Sequence, residues 1–144
     1  MSVAEDFGSD FPVNYRPTEK ESYMSAKMLE YFRRKLLGWK QDILAESKLT
    51  LANLQSDSDP LADLVDRASS ESDRALELRT RDRQRKLIAK IESALRRIEE
   101  GAYGYCEETG EPIGVGRLEA RPTATLSLEA QEAHERNEKV FRDD

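Results

Sequence analysis

The chain has 144 residues, of which 36% are charged and 7% aromatic, and its formal net charge is −6. This size accommodates one domain, or one domain with an extended element, and the composition is typical of long solvated helices without a thick core. An acidic chain is a poor binder of duplex DNA, because neutralising phosphates requires a basic face, so we expect no sequence-specific DNA binding.

Three sequence features bear on the cellular compartment. The chain has no apolar run of about 18 residues, so we expect no membrane span. Its first residues include Glu5, Asp6 and Asp10 and no apolar stretch, which is unlike a secretory signal. The single cysteine excludes an internal disulfide and fits a reducing cytosol. We therefore expect a cytoplasmic protein.

The N-terminal part is expected to contain a tail followed by a helix. Residues 1–17 contain glycine and prolines without apolar periodicity, which predicts a flexible N-terminal tail. Thr18 followed by Glu21 resembles a capping box, so a helix is predicted to begin there. We expect residues 18–32 to form the N-terminal helix of a globular head.

The next segment has the periodicity of a long helix. Apolar side chains recur at three- and four-residue steps from Tyr23 to Leu54, and this pattern leaves open a break near residues 33–37. Pro60 cannot continue a helix, but it can begin another one, with Asp59 as its N-cap. A turn between two helices is therefore predicted here.

The helical periodicity resumes at Leu64 and stops at Gly101, which we expect to be the C-cap. Two long helices joined by a short turn predict an antiparallel coiled-coil hairpin over residues 33–100. Its tip, near residues 57–66, is acidic. Residues 67–100 are net basic, and we expect their partner to be a local anionic ligand or a protein surface.

The segment from Tyr103 to Pro122, YGYCEETGEPIGVGRLEARP, has the framework of a four-cysteine zinc finger without its ligands. A structural zinc site requires four ligands, usually cysteine or histidine. The four positions are occupied here by Cys106, Thr109, Ser127 and Ala130. We therefore expect neither zinc nor any other metal cofactor.

Residues 101–144 are expected to form a finger-like head without metal, with short turns and at most a small hairpin, closed by a C-terminal helix from Ser127 to Phe141. Apolar packing must then replace the stabilisation that zinc would give. The candidates for this packing are Tyr103, Tyr105, Ile113, Val115, Leu118, Leu126 and Leu128.

Four blocks of residues, in this order and spacing, resemble the DksA/TraR family of bacterial RNA polymerase regulators. The blocks are FRRKL at 32–36 followed by Trp39, DLVDRA at 63–68, LELRTRDR at 76–83, and the finger segment. The resemblance covers residues 21–141. It implies a mainly all-α fold, with a long antiparallel coiled-coil hairpin and a small globular head, and we expect a monomer.

The acidic tip has two interpretations. From the residues alone, Asp63 and Asp66 share a helix face and are explained as solvated acids near a helix N-terminus. In the family, the matching aspartates lie at the coiled-coil tip that enters the secondary channel of RNA polymerase. The resemblance implies this role for Asp63, Asp66 and Ala68.

Basic residues of the second helix and of the head also have matches in the family. Arginines alternate from position 79 to 85, so they spread around a helix and can serve two surfaces. The resemblance implies that Arg83 docks on the polymerase rim, and that Leu87, Lys90 and Arg121 bind the alarmone ppGpp at the polymerase interface. Gln131 stands where a further basic residue is expected, which puts one phosphate contact in doubt. From sequence alone, each cation is equally an ordinary surface residue.

The resemblance implies a transcription regulator that binds RNA polymerase directly and acts with ppGpp at ribosomal RNA and amino-acid biosynthesis promoters, as in the stringent response. Two alternatives remain open. One is a Gre-like transcript-cleavage factor, whose tip acids hold a second catalytic Mg²⁺; the other is a coiled-coil scaffold or dimerisation module. Cys106 has no second thiol and His134 is expected to be exposed, so we expect no enzyme activity.

Overall fold

The structure is a computed structural model that describes residues 11–56 and 64–143, with side chains at 11–49, 51–52 and 71–140. The described residues form no named strand, and their only β-pairing is an isolated bridge between Tyr105 and Pro112. The predicted all-α fold is confirmed. In chain order the helices are α1 (Ala26–Ser56), α2 (Leu64–Glu100), α3 (Val115–Ala120) and α4 (Leu128–Asp143).

The chain divides into two compact units. The head unit comprises Met1–Leu36 and Ser93–Asp144, and the coil unit comprises Leu37–Glu92. Both long helices therefore contribute residues to both units. None of the helices, within the part of the chain that the structure describes, is long and apolar enough to cross a membrane.

Helix α1 begins later than the sequence predicted. The Glu21 carboxylate does accept the Thr18 N–H, at 2.7 Å, but this bond closes a turn and no helix follows it. Met24 has a φ of 53°, a left-handed conformation that breaks the helical path, and Ser25 then caps α1 by accepting the Met28 N–H at 3.2 Å. The prediction of a helix from Thr18 was wrong because the capping-box residues form an isolated turn. From Ala26 onward, α1 is continuous through residues 33–37.

Part of residues 11–17 packs against the described structure, although the sequence indicated a flexible tail. Phe11 and Pro17 are buried, and the Phe11 ring makes an edge contact with Tyr15 at a centroid distance of 5.8 Å. The Arg34 guanidinium lies over the Phe11 ring at 4.6 Å. Residues 1–10, which belong to the same predicted tail, lie outside the described residues.

The coil unit is an antiparallel pair of helices. Lys40 on α1 is paired with Glu92 on α2 at 3.3 Å, whereas Ser47, further along α1, lies in a groove with Leu78, much earlier in α2. Residue numbers thus rise on one helix as they fall on the other. The predicted Asp59 cap and Pro60 start lie outside the described residues, as does most of the predicted tip at 57–66.

The head unit holds most of the buried apolar side chains. Phe32 of α1 is fully buried and its ring lies 5.6 Å from that of Tyr103, whose hydroxyl donates to the Pro122 carbonyl at 2.7 Å. Gly101 ends α2 with a φ of 77°, and the Ala102 N–H donates to the Arg97 carbonyl at 2.9 Å, which confirms the predicted glycine cap. The fully buried large side chains of this unit are Phe32, Met28, Leu36, Ile98 and Leu118.

Candidate functional site

The predicted acidic tip is only partly described. Asp63 falls outside the described residues. The backbone of Asp66 and Ala68 belongs to the first turns of α2, which is described from Leu64. Asp66 is therefore a helical residue, as its predicted position on a helix face requires, and the roles assigned to the three tip residues stay predictions.

The cations of α2 form two surfaces in the coil unit. Arg79, Arg83, Lys86 and Lys90 line one groove, at positions four, three and four residues apart, so they share one face of the helix. Arg81 and Arg85 line a different groove, together with Ser47 of α1. The alternating arginines therefore serve two surfaces, as the sequence indicated.

The first of these surfaces, which we call the basic face (Arg79, Arg83, Lys86 and Lys90), carries charge that is only partly neutralised. Asp82 pairs with Arg85 at 2.6 Å and with Lys86 at 3.0 Å, and hydrogen bonds from these two cations lower the pKa of its carboxyl. Arg83 and Lys90 are exposed and make no ion pair or hydrogen bond with any described side chain. These two charges are available to an external anion.

The three residues matched to a ppGpp site are divided between the two units. Leu87, which is half-buried, and the exposed Lys90 belong to the coil unit. Arg121 belongs to the head unit, directly after α3, where its N–H donates to the Arg117 carbonyl at 2.8 Å and its side chain is exposed. Gln131, the residue that departs from the family pattern, donates to Glu135 along α4 at 3.3 Å. The shared ligand role of the three residues stays a prediction.

Residues at the four former zinc-ligand positions interact with one another. Cys106 is 3% exposed, and its thiol accepts hydrogen bonds from the Thr109 hydroxyl and from the N–H groups of Ser127, Thr109 and Glu108. The Ser127 hydroxyl accepts the Ala130 N–H at 3.2 Å and thereby caps α4. Hydrogen bonds thus occupy the place where a zinc finger has its metal. We call Cys106 and these donors the thiol cradle.

The thiol cradle does not fit a zinc ion. A structural site needs four ligands, and this set offers one thiol and two hydroxyls that already make hydrogen bonds, with no donor on Ala130. In the described part of the chain, no three His, Cys, Asp or Glu residues are placed to hold a metal. The nearby His134 is half-exposed and its Nε2 pairs with the Glu108 carboxylate.

The cradle changes the acidity of Cys106. Burial by itself raises the pKa of a thiol, because it disfavours the charged form. Here the hydrogen bonds from Thr109, Ser127 and Glu108 outweigh burial and lower the pKa of Cys106 to about 6. In the other direction, the Glu108 carboxylate raises the pKa of His134. The same hydrogen bonds favour the charged form of the Cys106 sulfur in the finger segment.

Hydrogen bonds and an ion pair also hold the finger segment to the rest of the head unit. They were not predicted from the sequence. Arg97, whose side chain is 13% exposed, donates to the Tyr105 carbonyl at 2.8 Å and pairs with Glu107 at 2.9 Å. The Tyr23 hydroxyl donates to the Gly104 carbonyl at 2.6 Å and accepts the Gly114 N–H at 2.9 Å. The only sequence feature that indicates such bonds for Arg97 is its position as a cation in the last turn of a helix. No sequence feature indicates the bonds of Tyr23.

The predicted apolar packing is largely confirmed. Tyr103, Ile113, Val115 and Leu118 are buried, and Tyr105 and Leu126 are half-buried. Leu128 was a wrong choice, because it is 57% exposed at the first position of α4.

Two family models match this chain. The model described as DnaK suppressor protein DksA, N-terminal domain, matches residues 28–98. The model described as prokaryotic dksA/traR C4-type zinc finger matches residues 101–136, although the chain has a single cysteine there.

Curated relatives and a solved structure agree with these matches. The RNA polymerase-binding transcription factor DksA of Caulobacter vibrioides (strain NA1000 / CB15N) is 68% identical over 131 residues, which are 91% of this chain and 92% of the relative. The protein of the same name from Escherichia coli (strain K12) is 43% identical over 125 residues, or 87% of this chain and 83% of the relative. The structure of transcription factor DksA2 from Pseudomonas aeruginosa covers 81% of this chain and 90% of its own, at 43% identity and a TM-score of 0.77.

Proposed function

The chain belongs to the DksA family, and from that premise we propose that it is a transcription regulator that binds RNA polymerase directly. The extent of the similarity to DksA proteins is the main support for this proposal. Family models match residues 28–98 and 101–136, and the 68% identical Caulobacter relative, which is named an RNA polymerase-binding transcription factor, is matched along 92% of its length.

The coil unit carries the activity in this proposal. Asp63, Asp66 and Ala68 enter the secondary channel of the polymerase, where two carboxylates alter the catalytic centre's surroundings during initiation. Arg83 docks the helices on the rim of that channel. In support, the Arg83 side chain is exposed and has no charged partner among the described residues, so docking does not require an existing ion pair to break.

The regulator acts with ppGpp at ribosomal RNA and amino-acid biosynthesis promoters. Lys90 and Arg121 bind phosphates of the alarmone at the polymerase interface and Leu87 contacts it. Both cations are exposed and lack a side-chain partner in the described parts of the chain, as a phosphate-binding residue requires before its ligand arrives. Gln131 contributes no charge to this site.

The head unit serves as a shaped platform, and it holds its fold without zinc. The thiol cradle and the packed side chains around it support this, because they occupy the space and satisfy the groups that a metal would organise. The regulator is a cytoplasmic monomer without catalytic activity of its own, and it reads no DNA sequence.

The test is transcription in vitro from a ribosomal RNA promoter by purified polymerase, with and without ppGpp. Wild type is expected to reduce transcript yield, and more strongly with ppGpp. The double variant Asp63→Asn/Asp66→Asn should still bind polymerase but lose this effect. The double variant Glu71→Gln/Asp73→Asn removes two exposed charges from the same helix and should act like wild type.

Two results would contradict the proposal. If wild type does not change the transcript yield, with or without ppGpp, a direct action on polymerase is excluded. Cleavage of backtracked RNA by wild type, lost in the tip variant, would instead assign the chain the Gre-like activity.

A further inference from the structure

Among the described residues of the coil unit, Glu77 Oε2 and Gln84 Oε1 are buried acceptors without a hydrogen bond, and of the two residues only Gln84 is buried as a whole. Gln84 of α2 is 9% exposed, and its Oε1 makes no hydrogen bond with any described residue. A buried amide carbonyl without a donor is unfavourable, since it has lost water and gained no partner. Gln84 therefore weakens the free coil unit, and a ligand that brings a donor would remove this penalty.

Gln84 lies in a groove between the two helices of the coil unit, with a volume of about 360 Å³. A groove of this volume accommodates one side chain of a partner protein. We call it the Gln84 groove, and the residues that decide its chemistry are Trp39, Asp42, Ile43, Glu46, Gln84 and Leu87.

The groove has the chemistry of a pocket for a cation. Asp42 and Glu46 are four residues apart on α1, so both carboxylates lie on the same face of the helix, and both residues line the groove together with Gln84. Trp39 is half-buried and offers the aromatic ring type that binds cations best. Ile43 and Leu87 supply apolar surface for the methylene stem of a long side chain.

We propose that the Gln84 groove binds an arginine side chain of RNA polymerase when the coil unit docks. This inference rests on the proposed function, because it names the occupant of a surface that the proposed function brings against polymerase. A guanidinium satisfies every feature of the groove at once: its plane stacks on Trp39, and its N–H groups donate to the Gln84 carbonyl and the Asp42 carboxylate. A lysine ammonium lacks the plane that stacks.

Arg83 also lines the groove and adds one positive charge to it. Its positive charge opposes a cationic guest, but two carboxylates against one guanidinium leave the lining net negative. Arg83 makes no hydrogen bond with the described residues, so it does not itself satisfy Gln84. An external arginine is thus the donor that the groove lacks.

The experiment measures polymerase affinity and coil stability for the same set of variants. Gln84→Met keeps the length of the side chain and removes the acceptor, and Asp42→Asn removes a carboxylate at constant size. Gln41→Met makes the same change as Gln84→Met at an exposed position of α1 outside the groove, as a matched control. In the wild-type complex with core polymerase, hydroxyl-radical footprinting of Trp39, the only tryptophan of the chain, reports whether the groove is covered.

We expect Gln84→Met to weaken polymerase binding by roughly tenfold, since the lost hydrogen bond joins a charged donor. Its melting temperature should stay equal or rise, because the variant removes an unsatisfied buried group, and a loss of fold therefore cannot explain the weaker binding. Asp42→Asn should weaken binding in the same direction, Gln41→Met should not, and Trp39 should be protected in the complex.

Three other outcomes overturn the inference. If Gln84→Met and Asp42→Asn bind polymerase with the affinity of wild type, and Trp39 is unprotected in the complex, the groove does not bind an arginine. The proposed function would remain. If wild type self-associates and Gln84→Met abolishes this association, the groove binds a second copy of this chain. An absence of binding by wild type would remove the proposed function, and this inference with it.

Discussion

The head unit and the coil unit differ in how they use their side chains. Among the described residues of the coil unit, only Ile43, Gln84 and Ile91 are buried, whereas the head unit buries most of the core. Five leucines among the described side chains of the coil unit are exposed: Leu44, Leu49, Leu51, Leu76 and Leu78. Stability should therefore respond to changes in the head far more than to changes in the coil.

Polar groups show the same contrast. In the head unit, Arg97 makes bonds to Tyr105 and Glu107, and Glu30 pairs with Arg33 and Arg34 at 2.7 Å each. In the coil unit, Arg83 and Lys90 have no partner among the described residues. Fixed charges maintain a shape, and unpaired charges are suited to a partner. The bonds of Arg97 and Glu30 thus maintain the shape of the head unit, whereas Arg83 and Lys90 of the coil unit, like Arg121 of the head unit, are available to a partner.

The largest expected effect on stability is in the head core. Phe32→Ala removes a fully buried ring that contacts Tyr103, and we expect it to lower the free energy of unfolding by about 3–5 kcal/mol. Leu76→Ala, at an exposed position of the coil unit, should change it by less than about 0.5 kcal/mol. Chemical denaturation of both variants measures this, and similar losses would contradict the contrast.

The second effect concerns a polar tie of the head. Arg97→Met removes a charged donor from the Tyr105 and Ala102 carbonyls, and should cost about 1.5–3 kcal/mol of unfolding free energy. Arg96→Met is the matched control, because Arg96 is adjacent, exposed and without a partner in the described parts of the chain. Equal melting curves for the two variants would show that the Arg97 bonds do not stabilise the head.

The third effect tests the thiol cradle. Cys106→Ala leaves the Thr109 hydroxyl and the N–H groups of Glu108 and Ser127 without their acceptor, and should cost about 1–2 kcal/mol at pH 8. The thiolate is favoured in the folded state, so its pKa is lowered on folding. The stabilisation is complete above the thiol's ordinary pKa and is lost as the pH falls through about 6.

The difference in unfolding free energy between wild type and Cys106→Ala should therefore shrink from pH 8 to pH 5.5. Chemical denaturation at several pH values measures it. A constant difference across this range would mean that Cys106 stabilises the head by packing as a neutral thiol, without a charged sulfur.

The smallest effect on stability is expected on the basic face, with a large effect on binding. Arg83→Ala should leave unfolding within about 0.5 kcal/mol of wild type, and weaken polymerase binding with a reduced salt dependence. Arg85→Ala removes a neighbouring arginine that is paired with Asp82 and lies on the other surface. Equal binding by the two variants would exclude a special docking role for Arg83.

The sequence predicted the elements that local chemistry controls. Gly101 marked the end of α2, since only a positive φ closes that turn easily, and the helix predicted from Ser127 is α4, which the Ser127 hydroxyl caps in the structure. The start of α1 was missed, because the capping pattern at Thr18 and Glu21 closes a turn and the Met24 conformation depends on its packed surroundings.

Properties that depend on contacts distant in sequence could not be predicted. The six-residue α3 is too short to show periodicity, and the burial of Phe11 and the exposure of Leu128 depend on what packs beside them. The unpaired acceptor of Gln84 likewise depends on which α1 residues face it. For the tip, sequence provides the motif of Asp63, Asp66 and Ala68, and the described structure adds the helical backbone of the last two.

We propose that a head folded without metal supports activity located in the coil. The most direct test is the lifetime of the open complex at a ribosomal RNA promoter, with protein treated exhaustively with a chelator. We predict that treated and untreated wild type shorten the lifetime equally, and that Asp63→Asn/Asp66→Asn does not shorten it in either state. A loss of activity on chelation that added zinc restores would contradict the claim.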